Sequence, residues 1–179
     1  LQMVAFNVKE LADSVGVDAE DVRIVSPYVG GGFGSKLGIS HEAVAASIAA
    51  RELGRPVRVV MSRQQVFEAI MRRSETEQRV RLGCGDQGRL TALAHEALIS
   101  NLPEEEFAEP VTQATEFLYR GDNRRLAIQI SRINRLTAGS VRAPGEAVGM
   151  QVLEAAMDEL AVKLHLDPVE LRKRNMPDV

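Results

Sequence analysis

Four glycines in five positions, Gly30, Gly31, Gly32 and Gly34 around Phe33, constrain this chain more than any other feature. A glycine loses more backbone freedom on folding than an alanine, at a cost of roughly 0.5–1 kcal/mol per residue. A domain holds only about 5–15 kcal/mol of net stability, so a cluster this dense points to a backbone that must approach something closely. Such a loop leaves N–H groups free to donate to the oxygens or sulfurs of an anionic group. The alternative is a tight strand-to-helix connection without a ligand. Two common phosphate loops fit badly. A Walker-type loop needs Gly-Lys followed by Ser or Thr, whereas the order here is Gly34-Ser35-Lys36, and the three-glycine dinucleotide spacing is not met.

The rest of the composition narrows the ligand. With 179 residues the chain has room for one large or two small domains and needs no external staple. A formal charge of −3 argues against a phosphate-backbone binder, and 4% aromatic residues without Trp argue against base-stacking platforms. No apolar run approaches the roughly 18 residues that a membrane-spanning helix needs, and no signal segment opens the chain. The single cysteine, Cys84, excludes an internal disulfide framework and a thiolate cage, so any transition metal has to arrive with its own ligands. Leu1 in first position reads as the start of an excised or processed piece.

Apolar periodicity predicts a helix over residues 4–15 closed by Gly16, an alanine-rich helix over 41–53 stopped by Gly54, and a brief helix over 63–71. The β-branched runs 22–25 and 56–61 read as short buried strands. Residues 75–82 and 89–100 flank Gly85-Asp86-Gln87-Gly88 and read as an antiparallel hairpin, with Cys84 at its turn. A short helix is expected within 110–118, a half-buried strand over 124–133, and a helix over 148–164 with Val152, Ala155, Ala156, Leu160 and Leu164 inward. Asp167-Pro168 supplies an N-cap and an N1 proline to a last helix ending in cations. The fold class is α+β, one unit built as a two-layer sandwich, with a mixed or antiparallel sheet covered by helices.

Three separated stretches carry a resemblance. Pro27-Tyr28-Val29-Gly30-Gly31-Gly32-Phe33-Gly34-Ser35-Lys36, then Arg142-Ala143-Pro144-Gly145-Glu146-Ala147, then Leu166-Asp167-Pro168-Val169-Glu170-Leu171-Arg172 resemble, in that order, the molybdenum-binding subunit of the xanthine dehydrogenase and aldehyde oxidase family. Bacterial aldehyde oxidoreductase large subunits are the most similar members. The resemblance covers essentially the whole chain and implies that residues 1–179 are a fragment holding the first molybdopterin-binding domain, with the second cofactor domain and its catalytic glutamate absent. It implies that Gln2, 31 residues ahead of Phe33, donates to the apical oxygen of molybdenum. Gly32, Phe33 and Gly34 would then bring the backbone beside the metal and its pterin dithiolene. Arg142 resembles the arginine that binds the pterin and phosphate side, a task suited to a guanidinium fork.

No residue here is carried over as a catalytic base or as a metal ligand, and the isolated fragment is expected to be inactive. The implied activity is oxidation of aldehydes, or related neutral substrates, to acids. Purine-hydroxylating relatives carry Glu directly after the loop lysine, where this chain has Leu37. The implied cofactors are molybdenum-molybdopterin, expected as the cytosine dinucleotide, with iron–sulfur clusters and FAD on partner domains or subunits. The expected partners are the remaining molybdopterin-binding domain, those subunits and a small-molecule substrate, with no nucleic acid. The expected compartment is the cytoplasm, the periplasm being the alternative.

Two rival functions remain from the residues alone: a non-catalytic binding domain that kept the fold, and a generic anion binder using the glycine loop. Lys36 reads more readily as an exposed cation than as a cofactor contact, and Phe33 by itself reads as core. His41, His95 and His165 lack ligand-like spacing and read as structural, and Cys84 reads as incidental. Arg72-Arg73, Arg124-Arg125 and Arg172-Lys173-Arg174 read as solvated faces, with interdomain or subunit contacts as the alternative.

Overall fold

A computed structural model describes residues 1–177. The chain forms two compact units, Leu1–Arg72 and a second that starts at Arg73.

The first unit is helical. Helix α1 spans Val4–Val15, and Gly16 closes it in the left-handed conformation with φ 69°, its N–H donating to Ala12 O at 2.9 Å. This is the cap that glycine makes without a Cβ penalty. A short 3-10 turn, Ala19–Asp21, leads into the extended stretch before the glycine loop. Helix α2, His41–Leu53, ends at Gly54 with φ 62°. Helix α3, Arg63–Ala69, starts in a capping box in which Ser62 accepts from Gln65 N and Gln65 returns the bond to Ser62 N. The expected strands over 22–25 and 56–61 do not form: both stretches lack strand pairing, Val25 is 69% exposed and Val60 is 70% exposed. Their β-branched side chains favour extended backbone, yet a strand exists only where another edge accepts its hydrogen bonds.

The second unit is the α+β sandwich. Strands β1, Thr76–Cys84, and β2, Leu90–Asn101, pair antiparallel, with a register shift at Gly83 and Cys84. Cys84 therefore ends β1 at a bulge, half-buried against the core, rather than standing in the turn. A long connection containing helix α4, Thr115–Leu118, leads to β3, Asn123–Arg132, which pairs parallel with β2 and makes β2 the central strand of a mixed sheet. Helix α5, Glu146–Leu164, packs on β1, and helix α6, Pro168–Asn175, packs on α5. The fully buried row of α5 is Gly149, Leu153, Met157 and Ala161, one step away from the expected stripe, and Ala155 is exposed. Both rows have a spacing near one helical turn, so the choice between them belongs to the sheet. At Gly149 a Cβ would stand 1.9 Å from Val111 O, and glycine is what lets α5 lie this close to the chain after β2.

Two polar groups pin this core. Asn175, 1% exposed, accepts from Leu90 N and donates to Gly88 O and Leu171 O, tying α6 to the hairpin turn. His95 is fully buried on β2, its Nε2 3.0 Å from Gln78 Oε1 and its Nδ1 2.8 Å from Thr115 Oγ1. The amide nitrogen of Gln78 donates to Thr76 Oγ1 and Val148 O, so its oxygen faces the ring and Nε2 carries the proton.

Burial lowers the pKa of His95 below the ordinary 6.5. The unfolded chain therefore takes up a proton at a pH where the folded one does not. Stability is fully present above about pH 6.5 and falls as the pH drops below it, by at most about 1.4 kcal/mol per pH unit. Hydrogen-exchange protection of the β1–β2 amides should decline between pH 7.5 and 5.5, and His95→Gln should flatten that decline. An unchanged slope in the variant would show that other groups cause it.

Candidate functional site

The glycine loop is held by the residues that precede and begin α1. Gln2 N donates to Lys36 O at 2.8 Å, and Gln2 Oε1 accepts from Gly34 N at 2.9 Å and from Lys36 N at 3.2 Å. Two backbone donors on one oxygen fix the orientation of the carboxamide and leave its NH2 without a hydrogen bond among the described residues. The side chain lies directly over Gly32, where a Cβ would meet Gln2 Oε1 at 2.2 Å. Within the loop, Ser35 Oγ donates to Gly32 O, and Lys36 Nζ donates to Gly31 O at 3.0 Å, which gives the lysine a local structural role. The N–H groups of Gly31, Gly32 and Phe33 make no backbone hydrogen bond among the described residues.

Farther along, Asn7 Nδ2 donates to Leu37 O, and Glu10 Oε2 accepts from Ile39 N and Asn7 Nδ2. Asn7 is 1% exposed. These two side chains on adjacent turns of α1 secure the exit of the loop, and nothing in their sequence spacing marked them for it. Phe33 is 65% exposed with φ 53°, so it is not core in this unit. A left-handed conformation at a phenylalanine stores strain of about 1–3 kcal/mol and persists only where the surroundings impose it.

The second motif shows the same sign of strain. Ala143 has φ 55°, and Phe33, Ala143 and the helix-capping His165 are the non-glycine residues with positive φ among those described. Gly145 has φ 80°, and a Cβ there would stand 2.2 Å from Pro110 O. Arg142 itself is exposed, and its guanidinium makes no hydrogen bond or ion pair among the described residues. Its carbonyl and those of Val141 and Ala143 accept from Arg73, which also pairs with the fully buried Glu109 at 2.5 Å. Glu109 Oε1 in turn accepts from Gly145 N at 2.6 Å.

Gln2, Gly32 and Gly34 thus converge in the first unit with Phe33 beside them, while Arg142 belongs to the second. The arginine clusters are only partly solvated faces. Arg73 serves the Arg142 loop, Arg124 donates to Tyr119 O and Thr115 O, and Arg172 bridges Glu154 and Asp158. A cleft of about 450 Å³ between β1 and α5 includes Gln78, Val80, Gln151 and Glu159 and none of the expected site residues. Among the described residues no three His, Cys, Asp or Glu side chains converge as metal ligands.

Comparison with known proteins gives this arrangement a context. A family model described as the molybdopterin cofactor-binding domain matches residues 1–176. The molybdenum-binding subunit of aldehyde oxidoreductase PaoC from Escherichia coli K12 is 41% identical over 174 residues, 97% of this chain and 24% of that protein. The aldehyde oxidoreductase of Megalodesulfovibrio gigas is 32% identical over 170 residues, 92% of this chain and 18% of that protein. Among solved structures, the aldehyde oxidoreductase from Desulfovibrio gigas superposes with a TM-score of 0.87 at 28% identity, over 98% of this chain and 20% of that one. Quinoline 2-oxidoreductase from Pseudomonas putida 86 gives 0.89 at 26% identity, over 98% and 23%. The chain spans less than a quarter of the length of each.

Proposed function

The chain belongs to the molybdopterin cofactor-binding domain family, and from that premise we propose that it works as the first cofactor-binding part of a molybdenum hydroxylase that oxidises aldehydes to carboxylic acids. The observation that carries this reading is the Gln2 carboxamide, which lies over Gly32 with its oxygen locked by Gly34 N and Lys36 N, so that its NH2 is left without a partner among the described residues. An amide donor fixed in this way suits an oxygen acceptor on the cofactor. The N–H groups of Gly31, Gly32 and Phe33, which make no backbone hydrogen bond among the described residues, suit its anionic or sulfur-bearing face. The residues present therefore fit such a group.

When bound, the cofactor supplies the redox centre at which the aldehyde is oxidised. The chain's own residues bind and orient. Gln2 directs its amide hydrogens at an oxygen, the loop backbone lets the group approach where side chains would obstruct it, and the Arg142 fork neutralises the pterin phosphate side. The proton-accepting glutamate is assigned to a later domain of the subunit, so this part alone is inactive. Leu37 in place of an acidic residue favours a neutral aldehyde over a purine. The cofactor would be the cytosine dinucleotide form, and partner domains or subunits would hold the iron–sulfur and FAD groups that supply the path for electrons. No helix among the described residues is long and apolar enough to cross a membrane. The proposed compartment is the cytoplasm, with the periplasm as the alternative.

The test is chemical analysis of the complete purified complex. It should contain molybdenum and pterin, release cytidine monophosphate on acid hydrolysis, and reduce a dye acceptor when given an aromatic or aliphatic aldehyde. A complex without molybdenum and without aldehyde oxidation would overturn the reading.

A further inference from the structure

We propose that Arg73 and Glu109 act as a positioning pair that presents Arg142 to the anionic side of the cofactor, an inference that rests on the cofactor-binding reading of Arg142 given above. Arg73 reaches the loop from its N-terminal side. Its Nη2 donates to Val141 O at 3.1 Å and to Arg142 O at 2.5 Å, and Nη1 lies 3.5 Å from Ala143 O. Glu109 holds the other end, where one carboxylate oxygen accepts both Arg73 Nη1 and Gly145 N. The two side chains are bonded to each other, so the five residues 141–145 are bracketed by one connected device.

Three consequences follow from simple electrostatics. Carbonyl oxygens carry negative partial charge, and a loop that turned them toward an anion would repel it; here three consecutive carbonyls are engaged by Arg73 instead. The charge of Arg73 is matched by Glu109, so Arg73 does not compete with Arg142 for the anion. Arg142, exposed and without a partner among the described residues, remains the free guanidinium of the loop. The left-handed Ala143 lies between the two anchors, where an imposed conformation can persist.

The pair is a poor device for stability alone. Glu109 is fully buried and its second oxygen, Oε2, has no hydrogen-bond partner among the described residues, and a buried ion pair with an unsatisfied atom is weak evidence of net stabilisation. Its reach to Gly145 N also depends on glycine at that position, since Pro110 O occupies the place of a Cβ. Partners that orient a ligand's contacts from behind commonly change affinity by about 10- to 100-fold when altered.

The experiment uses the complete complex with Arg73→Lys, Glu109→Gln and Arg142→Ala in the full-length subunit. Two quantities are read: molybdenum and pterin content, and hydrogen exchange of the amides at 141–149 in complex prepared without cofactor. Arg73→Lys keeps the charge and loses the fork. It should speed exchange at 141–149 by about tenfold while the β1–β2 amides stay protected, and it should lower cofactor content about as far as Arg142→Ala does. The double variant with Arg142→Ala should show no further loss. Glu109→Gln keeps an acceptor for Gly145 N and should give an intermediate result; it decides the matter by the same criteria if Arg73→Lys fails to assemble. Unchanged exchange at 141–149, or equal loss of protection throughout the second unit, overturns the proposal. Cofactor lost in Arg142→Ala but retained in Arg73→Lys overturns the positioning role alone, and cofactor retained in both overturns the reading of Arg142 beneath it.

Discussion

Gly32→Val in the complete subunit should strip that subunit of cofactor and leave its fold in place. The new Cβ would stand 2.2 Å from Gln2 Oε1 and 2.3 Å from its Cδ and Cγ. The obstruction is a flexible side chain, and φ at Gly32 lies outside the left-handed region, so valine can take the position once Gln2 moves away. Its departure removes the acceptor for Gly34 N and Lys36 N, and an intramolecular hydrogen bond contributes about 0.5–1.5 kcal/mol net. It also removes the oriented Gln2 carboxamide from over the loop. Cofactor content should therefore fall by roughly ten- to a hundredfold, with a thermal midpoint lowered by only a few degrees. Gly32→Ala should show most of the same loss, because the clash begins at Cβ. Full cofactor occupancy and turnover in both variants would make the loop a structural turn and remove Gln2 from the site.

Arg142→Ala separates binding from stability in the second unit. The side chain is exposed and has no hydrogen bond or ion pair among the described residues, so thermal stability should stay within about 0.5 kcal/mol of the parent. Cofactor content of the complete complex, and with it the proposed aldehyde turnover, should fall. Arg142→Lys keeps a point charge and loses the bidentate fork, and partial recovery is the expected result. Unchanged occupancy and turnover in both variants would leave Arg142 as a solvated charge.

The elements legible in the sequence were those whose reasons are local. Helix α1 ends where Gly16 can adopt φ 69°, and α6 begins where Asp167 accepts from Val169 N and Glu170 N ahead of Pro168. In both, the signal and the structure lie within a few residues. The β-branched runs at 22–25 and 56–61 show the opposite case. Their residues favour extended backbone and they adopt no strand in the first unit, because pairing depends on a second edge that no local pattern specifies. The inward row of α5 is similar: Val152 and Leu153 are equally apolar, and the sheet chose the row that includes Leu153.

For the candidate site the division is sharper. The density of glycines alone pointed to a loop of close approach, with a plain turn as the alternative, and the count and spacing of His and Cys offered no pattern for a protein-built thiolate or histidine cage. The partners of that loop and of the Arg142 turn were decided by tertiary structure. Gln2 meets Gly34 across 32 residues, Glu109 meets Gly145 across 36, and Arg73 meets Arg142 across 69. Composition and periodicity carry information over one or two helical turns, because that is the range of capping bonds and of side chains sharing a face. A buried carboxylate or a lone arginine is assigned its work only when folding removes water from around it and leaves one set of backbone groups within reach.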